Sequence, residues 1–412
     1  MSEHFDSLET RSAEARAEAL AAALPRQVAH ARASAPYYAQ RLDGLDPAVV
    51  TDMAALAHLP VTRKSALIEH QAAEPPFGGV VASPFGSLAR VYASPGPLYE
   101  PEGEGPDYWR FARALHATGF RAGDLLHNCF AYHFTPAGSM LEGGARALGC
   151  PVFPAGTGNT EMQARAAAQL RPRCYSGTPE FLKAILEKGE ELGLDLASLR
   201  LGHVSGGAYL PSLRAWYAER GMTVLQSYGT ADLGLIAYES VAREGLILDE
   251  GVVVEIVRPG TGEPLPEGEV GEVVVTTLNP VHPLLRFATG DLSAILPGAS
   301  PCGRTNARIR GWMGRADQAA KVRGMFVRPE QVAELLRAVP GVARARLVVA
   351  LDGDRDTMLL RAEAAAPDEA LVTRLGLALQ AATRLRGTVE LVPPGSLPND
   401  GKVIDDTRPV PG

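Results

Sequence analysis

The feature that most constrains this chain is a regular alternation of short apolar runs and helical runs between residues 110 and 235. The predicted elements are helices at 107–118, 136–148, 160–169, 179–192 and 211–219 and strands at 125–130, 151–153, 174–176, 201–204 and 223–226. Because the connections are only a few residues long, each helix is a crossover between parallel strands, and the pattern predicts a parallel sheet with helices on both faces. Ligands of such sheets bind beyond the carboxyl ends of the strands.

The segments on either side of this alternation have other patterns. Residues 8–42 are rich in Ala, Arg and Glu with helical spacing, which predicts one or two amphipathic helices on the outside of the main domain. Apolar runs at 252–257 and 271–277 flank a Gly- and Pro-rich turn, which indicates a β-hairpin. From about residue 318, the pattern predicts a helix at 329–338, strands at 343–350 and 357–364, a helix at 367–383 and a strand at 388–391, which is typical of a small α+β domain. We therefore expect an α/β fold in which a large N-terminal domain, 1–317, with helix-covered sheets and a β-rich subdomain, precedes a small mobile α+β domain, 318–412.

Composition excludes several classes of protein. The 412 residues are 46% hydrophobic and 21% charged, which is ordinary for a globular protein with a large core. A net charge of −7 disfavours nucleic acid as a partner. The four cysteines, Cys129, Cys150, Cys174 and Cys302, form no CxxC pair, so we expect a reducing cytoplasm rather than a disulfide framework. No apolar run approaches the length of about 18 residues that a spanning helix needs, so no membrane partner is expected.

Two carboxylates follow predicted strands. The strand at 223–226 runs into a Ser-Tyr-Gly-Thr-Ala-Asp segment, which places Tyr228, a glycine turn and Asp232 at the carboxyl end of a strand. A second short strand leads into Asp291, whose carboxylate suits the hydroxyls of a diol such as ribose. Each segment taken alone also fits an ordinary turn, with Asp232 capping a following helix.

Two further polar segments lie near the predicted domain boundary and near the C-terminus. The glycine-flanked segment 311–324 fits either a linker between domains or a surface loop. Near the C-terminus, Leu-Pro-Asn-Asp-Gly-Lys places Lys402 on a glycine loop. Only five of the forty basic residues are lysines, so a lysine at this position is not a matter of composition.

The order and spacing of these four segments resemble the adenylate-forming superfamily of acyl-CoA synthetases, adenylation domains and luciferases, and within it the phenylacetate-CoA ligase branch. Weaker supporting segments are collinear with that branch from about residue 25 to residue 404. They are Pro36-Tyr37-Tyr38, Leu59-Pro60-Val61-Thr62-Arg63-Lys64, the segment 154–161 and Gly177-Thr178-Pro179. The resemblance implies an AMP-forming ligase with ATP and AMP, Mg²⁺ and coenzyme A as cofactors and cosubstrates, and a homodimer among its assemblies.

The resemblance also implies roles for individual residues. Tyr228 would border the adenine, Asp291 would hold the ribose hydroxyls, and Arg315 would hold the ribose or a phosphate. The residues implied around the nucleotide are Tyr228, Gly229, Thr230, Ser205, Gly206, Gly207, Asp291 and Arg315.

Two residues would take part in catalysis according to the same resemblance. Asp232 stands where the family has a glutamate associated with Mg²⁺, and Lys402 resembles the lysine that reaches the α-phosphate and the substrate carboxylate. A positioned cation stabilises the charge that develops on the phosphate oxygens during adenylation. In the family the small domain then rotates for thioester formation about a hinge, whose position is Gln318 here.

The acyl substrate is predicted from two loops. Tyr132, His133 and Phe134 follow the strand that ends near Phe130, and Ala208 lies on the loop after strand 201–204. Their positions resemble the acyl pocket of the family, and the analogy suggests an aryl or arylacetic acid. Aromatic residues after a strand are also common as ordinary pocket wall.

The phosphate loop is the main departure from the family pattern. Family members have a Ser/Thr/Gly-rich stretch ending in Gly-Lys-Pro, whose backbone N–H groups and lysine bind phosphates. The matching segment here, 90–99, has no lysine and two prolines, which have no N–H to donate. Three interpretations stay open: slow activation by ATP, activation that uses other groups such as Arg90, and binding of a nucleotide or acyl-adenylate without turnover. A transfer of the acyl group to an amine or a carrier protein instead of coenzyme A also stays open.

A serine hydrolase is the alternative from another class. His203-Val204-Ser205-Gly206-Gly207 follows a strand and precedes a helix, as a nucleophile elbow does. His203 replaces the first glycine of that motif, and the ligase alignment explains the segment better.

Overall fold

The computed structural model describes residues 3–94, 98–207, 209–314, 316, 320–323, 325–352, 355–398 and 402–408. The chain divides into two units. The first comprises residues 1–289 and 293–312, and the second comprises residues 290–292 and 313–412.

The helices of the first unit cover its N-terminal segment and both faces of its large sheet. They are α1 (Ala13–Ser34), α2 (Pro36–Arg41), α3 (Met53–Leu56), α4 (Lys64–Ala73), α5 (Phe111–Thr118), α6 (Ala137–Ala147), α7 (Thr160–Leu170), α8 (Pro179–Glu191) and α9 (Pro211–Glu219). The second unit has two helices, α10 (Pro329–Ala338) and α11 (Glu369–Thr383), among its described residues. The helices predicted at 136–148, 160–169, 179–192, 211–219 and 329–338 are confirmed to within one or two residues.

The strands up to residue 309 form a hairpin and two larger sheets. They are β1 (Thr62–Arg63), β2 (Leu88–Ser94), β3 (Leu98–Gly103), β4 (Leu126–Asn128), β5 (Val152–Phe153), β6 (Cys174–Gly177), β7 (Leu201–Val204), β8 (Thr223–Thr230), β9 (Gly234–Glu239), β10 (Leu246–Leu248), β11 (Val252–Val257), β12 (Gly271–Thr277), β13 (Phe287–Ser293), β14 (Ile295–Leu296) and β15 (Arg308–Ile309). The later strands are β16 (Ala320–Val322), β17 (Met325–Val327), β18 (Val342–Asp352), β19 (Arg355–Ala364), β20 (Thr388–Val392) and β21 (Ile404–Asp406).

A nine-stranded sheet with the order β14-β15-β10-β9-β8-β7-β6-β4-β5 forms the centre of the first unit. Strands β5, β4, β6, β7 and β8 run parallel, as the alternation predicts. Phe111, Leu115 and Leu141 on α5 and α6 pack in one apolar cluster, and Ala164, Leu182 and Ile185 on α7 and α8 pack in another. The parallel strands contribute residues to both clusters, so helices cover both faces of the sheet.

Strand β8 differs from the prediction because it does not end at residue 226. Its first half pairs in parallel with β7, and from Ser227 it pairs with β9 in antiparallel register. The register shifts between Tyr228 and Gly229, where the ladder has a bulge. The Tyr-Gly-Thr segment that was expected in a loop is therefore the second half of a strand.

Helix α5 begins four residues later than predicted. Asp107 and Arg110 have φ angles of +53° and +67°, which a right-handed helix does not allow. The Oδ2 atom of Asp107 instead accepts a hydrogen bond of 2.9 Å from the Ala112 amide, within the first turn of the helix. The Asp107 carboxylate therefore satisfies an amide in the first turn of the helix, which sequence periodicity alone does not reveal.

A four-stranded sheet, in the order β1-β13-β12-β11, completes the first unit's architecture. The predicted hairpin is confirmed as β11 and β12, with Val252 opposite Thr277 and Val257 opposite Glu272. Residues of α1 and α2, including Leu24, Val28 and Tyr38, are buried in the same apolar cluster as this sheet. None of the described helices has the length and apolarity that a membrane span requires.

The second unit is a small α+β structure. Its sheet has the order β20-β19-β18-β21, with β18 and β19 antiparallel and the outer strands parallel to their neighbours. Leu335 of α10 and Leu375 of α11 are buried with Leu347 and Leu360 in a common core. The predicted strand–strand–helix–strand order after α10 is confirmed.

A buried ion pair joins the four-stranded sheet to the segment before β1. The Arg286 guanidinium donates to both carboxylate oxygens of Glu255 at 2.9 Å. It also donates to the carbonyl oxygens of Ala57, Leu59 and Gly262 at 2.6–2.7 Å. Both charged side chains are 2% exposed, so the charge of each is compensated by the other side chain rather than by water.

We expect Arg286→Ala to lower the free energy of unfolding by about 3–5 kcal/mol, because the buried Glu255 carboxylate would lose its partner. Urea unfolding followed by tryptophan fluorescence measures this, since all three tryptophans lie in residues 1–312. Arg258→Ala, which removes an exposed pair with Glu263, is the matched control and should cost no more than about 1 kcal/mol. Equal losses in the two variants would contradict the structural role of Arg286.

Candidate active site

The second half of β8 brings three of the predicted nucleotide residues together. Tyr228 Oη donates a hydrogen bond of 3.2 Å to Thr289 Oγ1 on β13. A side chain at Gly229 would place its Cβ atom 2.5 Å from the Gly234 carbonyl oxygen, so only glycine fits the bulge. Thr230 follows directly, where β8 ends. Tyr228 and Thr230 are both partly exposed and available to a ligand.

Asp232, in the turn after β8, belongs to a buried polar cluster. Lys64 Nζ lies 3.1 Å from its Oδ1 atom and 3.2 Å from its Oδ2 atom. Ser94 lies between Lys64 and Glu100, because its Oγ is 3.5 Å from Lys64 Nζ and donates to Glu100 Oε1 at 3.2 Å. The His282 ring stands 3.9 Å from the other Glu100 oxygen. We call Lys64, Ser94, Glu100, Asp232 and His282 the Lys64 cluster.

Burial shapes the protonation of this cluster. Burial first, and then the neighbouring charge of Asp232, hold the pKa of Glu100 well above its ordinary value, which favours the neutral acid. Burial lowers the pKa of His282 to about 4, so this imidazole is neutral near pH 7. Lys64 and Asp232 form the ion pair of the cluster. The Lys64 side chain is 31% exposed, whereas that of Asp232 is 5% exposed.

The predicted acyl loop is only partly enclosed. Asn128 Nδ2 donates to Tyr132 Oη at 2.7 Å, which fixes this half-buried ring. His133 is exposed. Phe134 has a backbone φ angle of +62°, and it is 79% exposed. The Phe134 carbonyl oxygen accepts the Ala93 amide of β2 at 2.8 Å, so the loop lies against the β2–β3 hairpin.

The Ser205 segment is held by backbone contacts rather than by a catalytic base. Ser205 Oγ donates to the Ser227 carbonyl oxygen at 3.0 Å. The His203 ring is hydrogen-bonded to Ser227 Oγ and Thr118 Oγ1, and burial lowers its pKa to about 3. Ser205 therefore has no histidine to activate it, which argues against the hydrolase alternative. Gly206, with φ at +70°, lies in the turn beyond Ser205.

In the second unit, the chain before Lys402 is anchored to the sheet. The buried Glu363 carboxylate of β19 accepts the Leu397 amide at 2.8 Å and pairs with Arg344 of β18 at 3.1 Å. Arg344 also donates to the Leu397 carbonyl oxygen. Hydrogen bonds from the amides of Leu397 and Gly395 lower the pKa of Glu363 despite its opposing burial.

The chain around and after Lys402 is anchored as well. Arg346 donates to the Pro398 carbonyl oxygen at 3.1 Å, and β21 pairs in parallel with β18 from Ile404 onward. Lys402 itself is exposed and lies 3.4 Å from Asp405. The chain is thus attached to β18 and β19 before Lys402 and to β18 after it. We call the anchoring residues Arg344, Arg346 and Glu363 the loop clamp.

Asp291 lies within a strand rather than in the loop that the sequence predicted. It is buried in β13, two residues after Thr289, and not beyond the strand's end as expected. Arg315, Ala208 and Gln318 lie outside the described residues, as does the central part of the phosphate segment, 95–97.

Comparison with known proteins identifies the family. Residues 110–280 match the family described as AMP-binding enzyme. A phenylacetate-coenzyme A ligase of Thermus thermophilus is 36% identical over 362 residues, which are 84% of this chain and 80% of that relative. The chain belongs to the phenylacetate-CoA ligase branch of the adenylate-forming enzymes. The resemblance inferred from its motifs is thereby confirmed.

Solved structures of this superfamily also match the fold. The structure of 2-hydroxyisobutyryl-CoA ligase in the postadenylation state with 2-HIB-AMP is 26% identical, with a TM-score of 0.80 over 98% of this chain and 92% of that one. The same ligase with 2-HIB-AMP and CoA in the thioesterification state is 26% identical, with a TM-score of 0.72 over 99% and 93% of the two chains. The predicted α/β fold class is confirmed.

Sequence reasoning missed most of the Lys64 cluster. Lys64 lies in a segment that supported the resemblance, but no role was assigned to it, and Glu100 and His282 were not singled out. The scarcity of lysine could have pointed to Lys64, because only three of the five lysines lie in residues 1–312. No sequence signal links Lys64 to Asp232, since 168 positions separate them.

We expect the loop clamp to weaken in acid, and Glu363→Gln to remove that pH dependence. The pKa of Glu363 is lowered in the folded protein, so its contribution is complete above the ordinary value of about 4.3 and is lost as the pH falls through the folded value. Hydrogen-exchange protection factors of the Leu397 amide, measured from pH 7 down to pH 3, test this. Glu390→Gln, which breaks a surface pair with Arg361, is the control and should leave that protection unchanged. Equal pH profiles in wild type and Glu363→Gln would contradict the assignment.

Proposed function

We propose that this protein is an ATP-dependent, AMP-forming ligase that activates a carboxylic acid and transfers it to coenzyme A. The observation that carries the proposal is the carboxyl end of β8, where Tyr228 and Thr230 are followed by Asp232, whose buried carboxylate pairs with the Lys64 ammonium. Sequence identity to a phenylacetate-coenzyme A ligase over 84% of the chain supports the same chemistry. Coenzyme A is favoured over an amine or a carrier protein because the relatives are named as CoA ligases.

The nucleotide is proposed to bind along β8 and the neighbouring loops. Tyr228 would border the adenine, and the Asp291 carboxylate would accept hydrogen bonds from the ribose hydroxyls. The proposed nucleotide contacts are Tyr228, Gly229, Thr230, Ser205, Gly206, Gly207, Asp291 and Arg315. The partial exposure of Tyr228, Gly229 and Thr230 supports this placement.

The reaction has two steps. A carboxylate oxygen of the acid attacks the α-phosphorus of ATP, and the bond from that phosphorus to pyrophosphate breaks. The sulfur of coenzyme A then attacks the acyl carbon, loses its proton and releases AMP. We propose that the Lys402 ammonium stabilises the negative charge that develops on the α-phosphate oxygens in the first step. The anchoring of the chain on both sides of Lys402 supports a positioned rather than a freely moving side chain.

Mg²⁺ is proposed to accompany ATP. Enzymes that act on phosphates usually hold Mg²⁺ through one or two carboxylates, water and the phosphates themselves. The described residues contain no group of three or more His, Cys, Asp or Glu side chains that could hold a metal ion. Asp232 provides one carboxylate, and Lys64 already pairs with it, so the residues as arranged do not fit a metal there. The Mg²⁺ role of Asp232 stays a prediction.

The acid is proposed to be aromatic, with the acyl group near Tyr132, His133, Phe134 and Ala208. The hydrogen bond from Asn128 supports a fixed wall at Tyr132, and the exposed Phe134 ring leaves apolar surface for a partner or substrate ring. A cytoplasmic location and a homodimer stay predictions of the sequence.

Acid-dependent exchange of labelled pyrophosphate into ATP tests the function. We expect exchange with an aryl or arylacetic acid, and thioester formation when coenzyme A is added. Exchange without thioester would support transfer to an amine or a carrier protein. No exchange across a broad panel of acids would contradict ATP-driven turnover and leave a nucleotide or acyl-adenylate binder.

Lys402→Ala is expected to reduce adenylate formation by roughly a hundredfold or more, because a charge-stabilising group at the reacting phosphate is lost. Thioester formation from presynthesised acyl-adenylate should change little, since that step does not build charge on the phosphate in the same way. Stopped assays of the two half-reactions measure this. Lys188→Ala, on the surface of α8 and paired with Glu191, is the control. Equal losses in both half-reactions would contradict the role of Lys402.

A further inference from the structure

The phosphate segment of this chain has no lysine, so a lysine for the terminal phosphates of ATP has to come from another part of the chain. Only three lysines lie in residues 1–312. Lys183 and Lys188 are on α8, where each pairs with a glutamate of the same helix. The third is Lys64, whose ammonium contacts Asp232 and Ser94.

The position of Lys64 is unfavourable for the helix that contains it. It is the first residue of α4, whose N-terminus carries a partial positive charge from the helix dipole. Arg63, the N-cap residue, makes no side-chain capping bond to offset that charge. A lysine here therefore does not serve the helix. Its ammonium is held instead by the buried Asp232 carboxylate at 3.1–3.2 Å.

The Lys64 ammonium also lies at the end of the β2–β3 hairpin. Its Nζ is 3.5 Å from Ser94 Oγ, and Ser94 is the last residue of β2. Residues 95–97, which follow directly in sequence, are the central part of the segment 90–99 that matches the family's phosphate loop. Arg90, the other candidate cation, lies four residues before Ser94, and its guanidinium is paired with the Glu102 carboxylate at 3.0 Å. Lys64 is therefore the better-placed cation.

We propose that Lys64 binds the β- and γ-phosphates of ATP, and the pyrophosphate product, in place of a phosphate-loop lysine. An ammonium has three N–H donors, so Lys64 can keep its contact with Asp232 and still donate to a phosphate oxygen. Its 31% exposure leaves it reachable from solvent. Asp232 is then a positioning residue that holds the ammonium beside Ser94. This inference rests on the proposed use of ATP.

Calorimetric titration of ATP and of AMP into the full-length protein tests the proposal, because AMP lacks the two phosphates in question. We expect Lys64→Met to weaken ATP binding by roughly ten- to a hundredfold, the range for losing a charged hydrogen bond, and AMP binding by less than about twofold. Lys64→Arg, which keeps the charge, should recover most of the ATP affinity. Lys183→Met is the matched control and should match wild type for both nucleotides.

Three outcomes would overturn the proposal: unchanged ATP affinity in Lys64→Met, equal losses for ATP and AMP, and no ATP binding by the wild-type protein. Thermal unfolding of each variant shows whether it is folded, and Lys64→Gln replaces Lys64→Met if the latter is not. The proposed function fails separately, when wild type exchanges no pyrophosphate with any acid. In that case the comparison of ATP with AMP still decides the role of Lys64.

Discussion

The double pairing of β8 is the constraint on which the first unit depends. One half of this strand closes the parallel part of the sheet against β7, and the other half opens the antiparallel part against β9. The change takes place between Gln226 and Ser227, and a bulge follows between Tyr228 and Gly229, so the backbone is irregular where the candidate nucleotide residues lie. Bulges next to active sites redirect side chains, and here the bulge separates Tyr228 from Thr230 and Asp232.

Charge balance in the Lys64 cluster follows from this geometry. The turn after β8 buries Asp232, and a buried carboxylate needs a partner. Lys64 supplies it from α4, a helix far away in sequence, while Glu100 avoids a second buried negative charge by favouring its neutral form. The cluster thus ties the central sheet, α4 and the β2–β3 hairpin together through one ammonium group.

The sequence was most informative where periodicity and motif agree. The helices from α6 to α10 and the parallel pairing of β4 to β8 follow from apolar spacing, and the family follows from the order of the segments around Tyr228, Asp291 and Lys402. The start of α5 was not predictable, because it depends on the positive φ angles at Asp107 and Arg110. The extension of β8 to Thr230 was missed because its partner in the second half, β9, is antiparallel. Contacts such as Lys64 with Asp232 and Glu363 with Leu397 join distant positions, and they become visible only in the folded chain.

The loop clamp has a consequence for protein engineering. Glu363, Arg344 and Arg346 hold the backbone at Leu397 and Pro398, and β21 pairs with β18 from Ile404 onward. These attachment points define the two ends at which a loop from another ligase can be grafted as a cassette. Such chimeras would compare loop chemistries on one scaffold, with the attachment points of the graft unchanged.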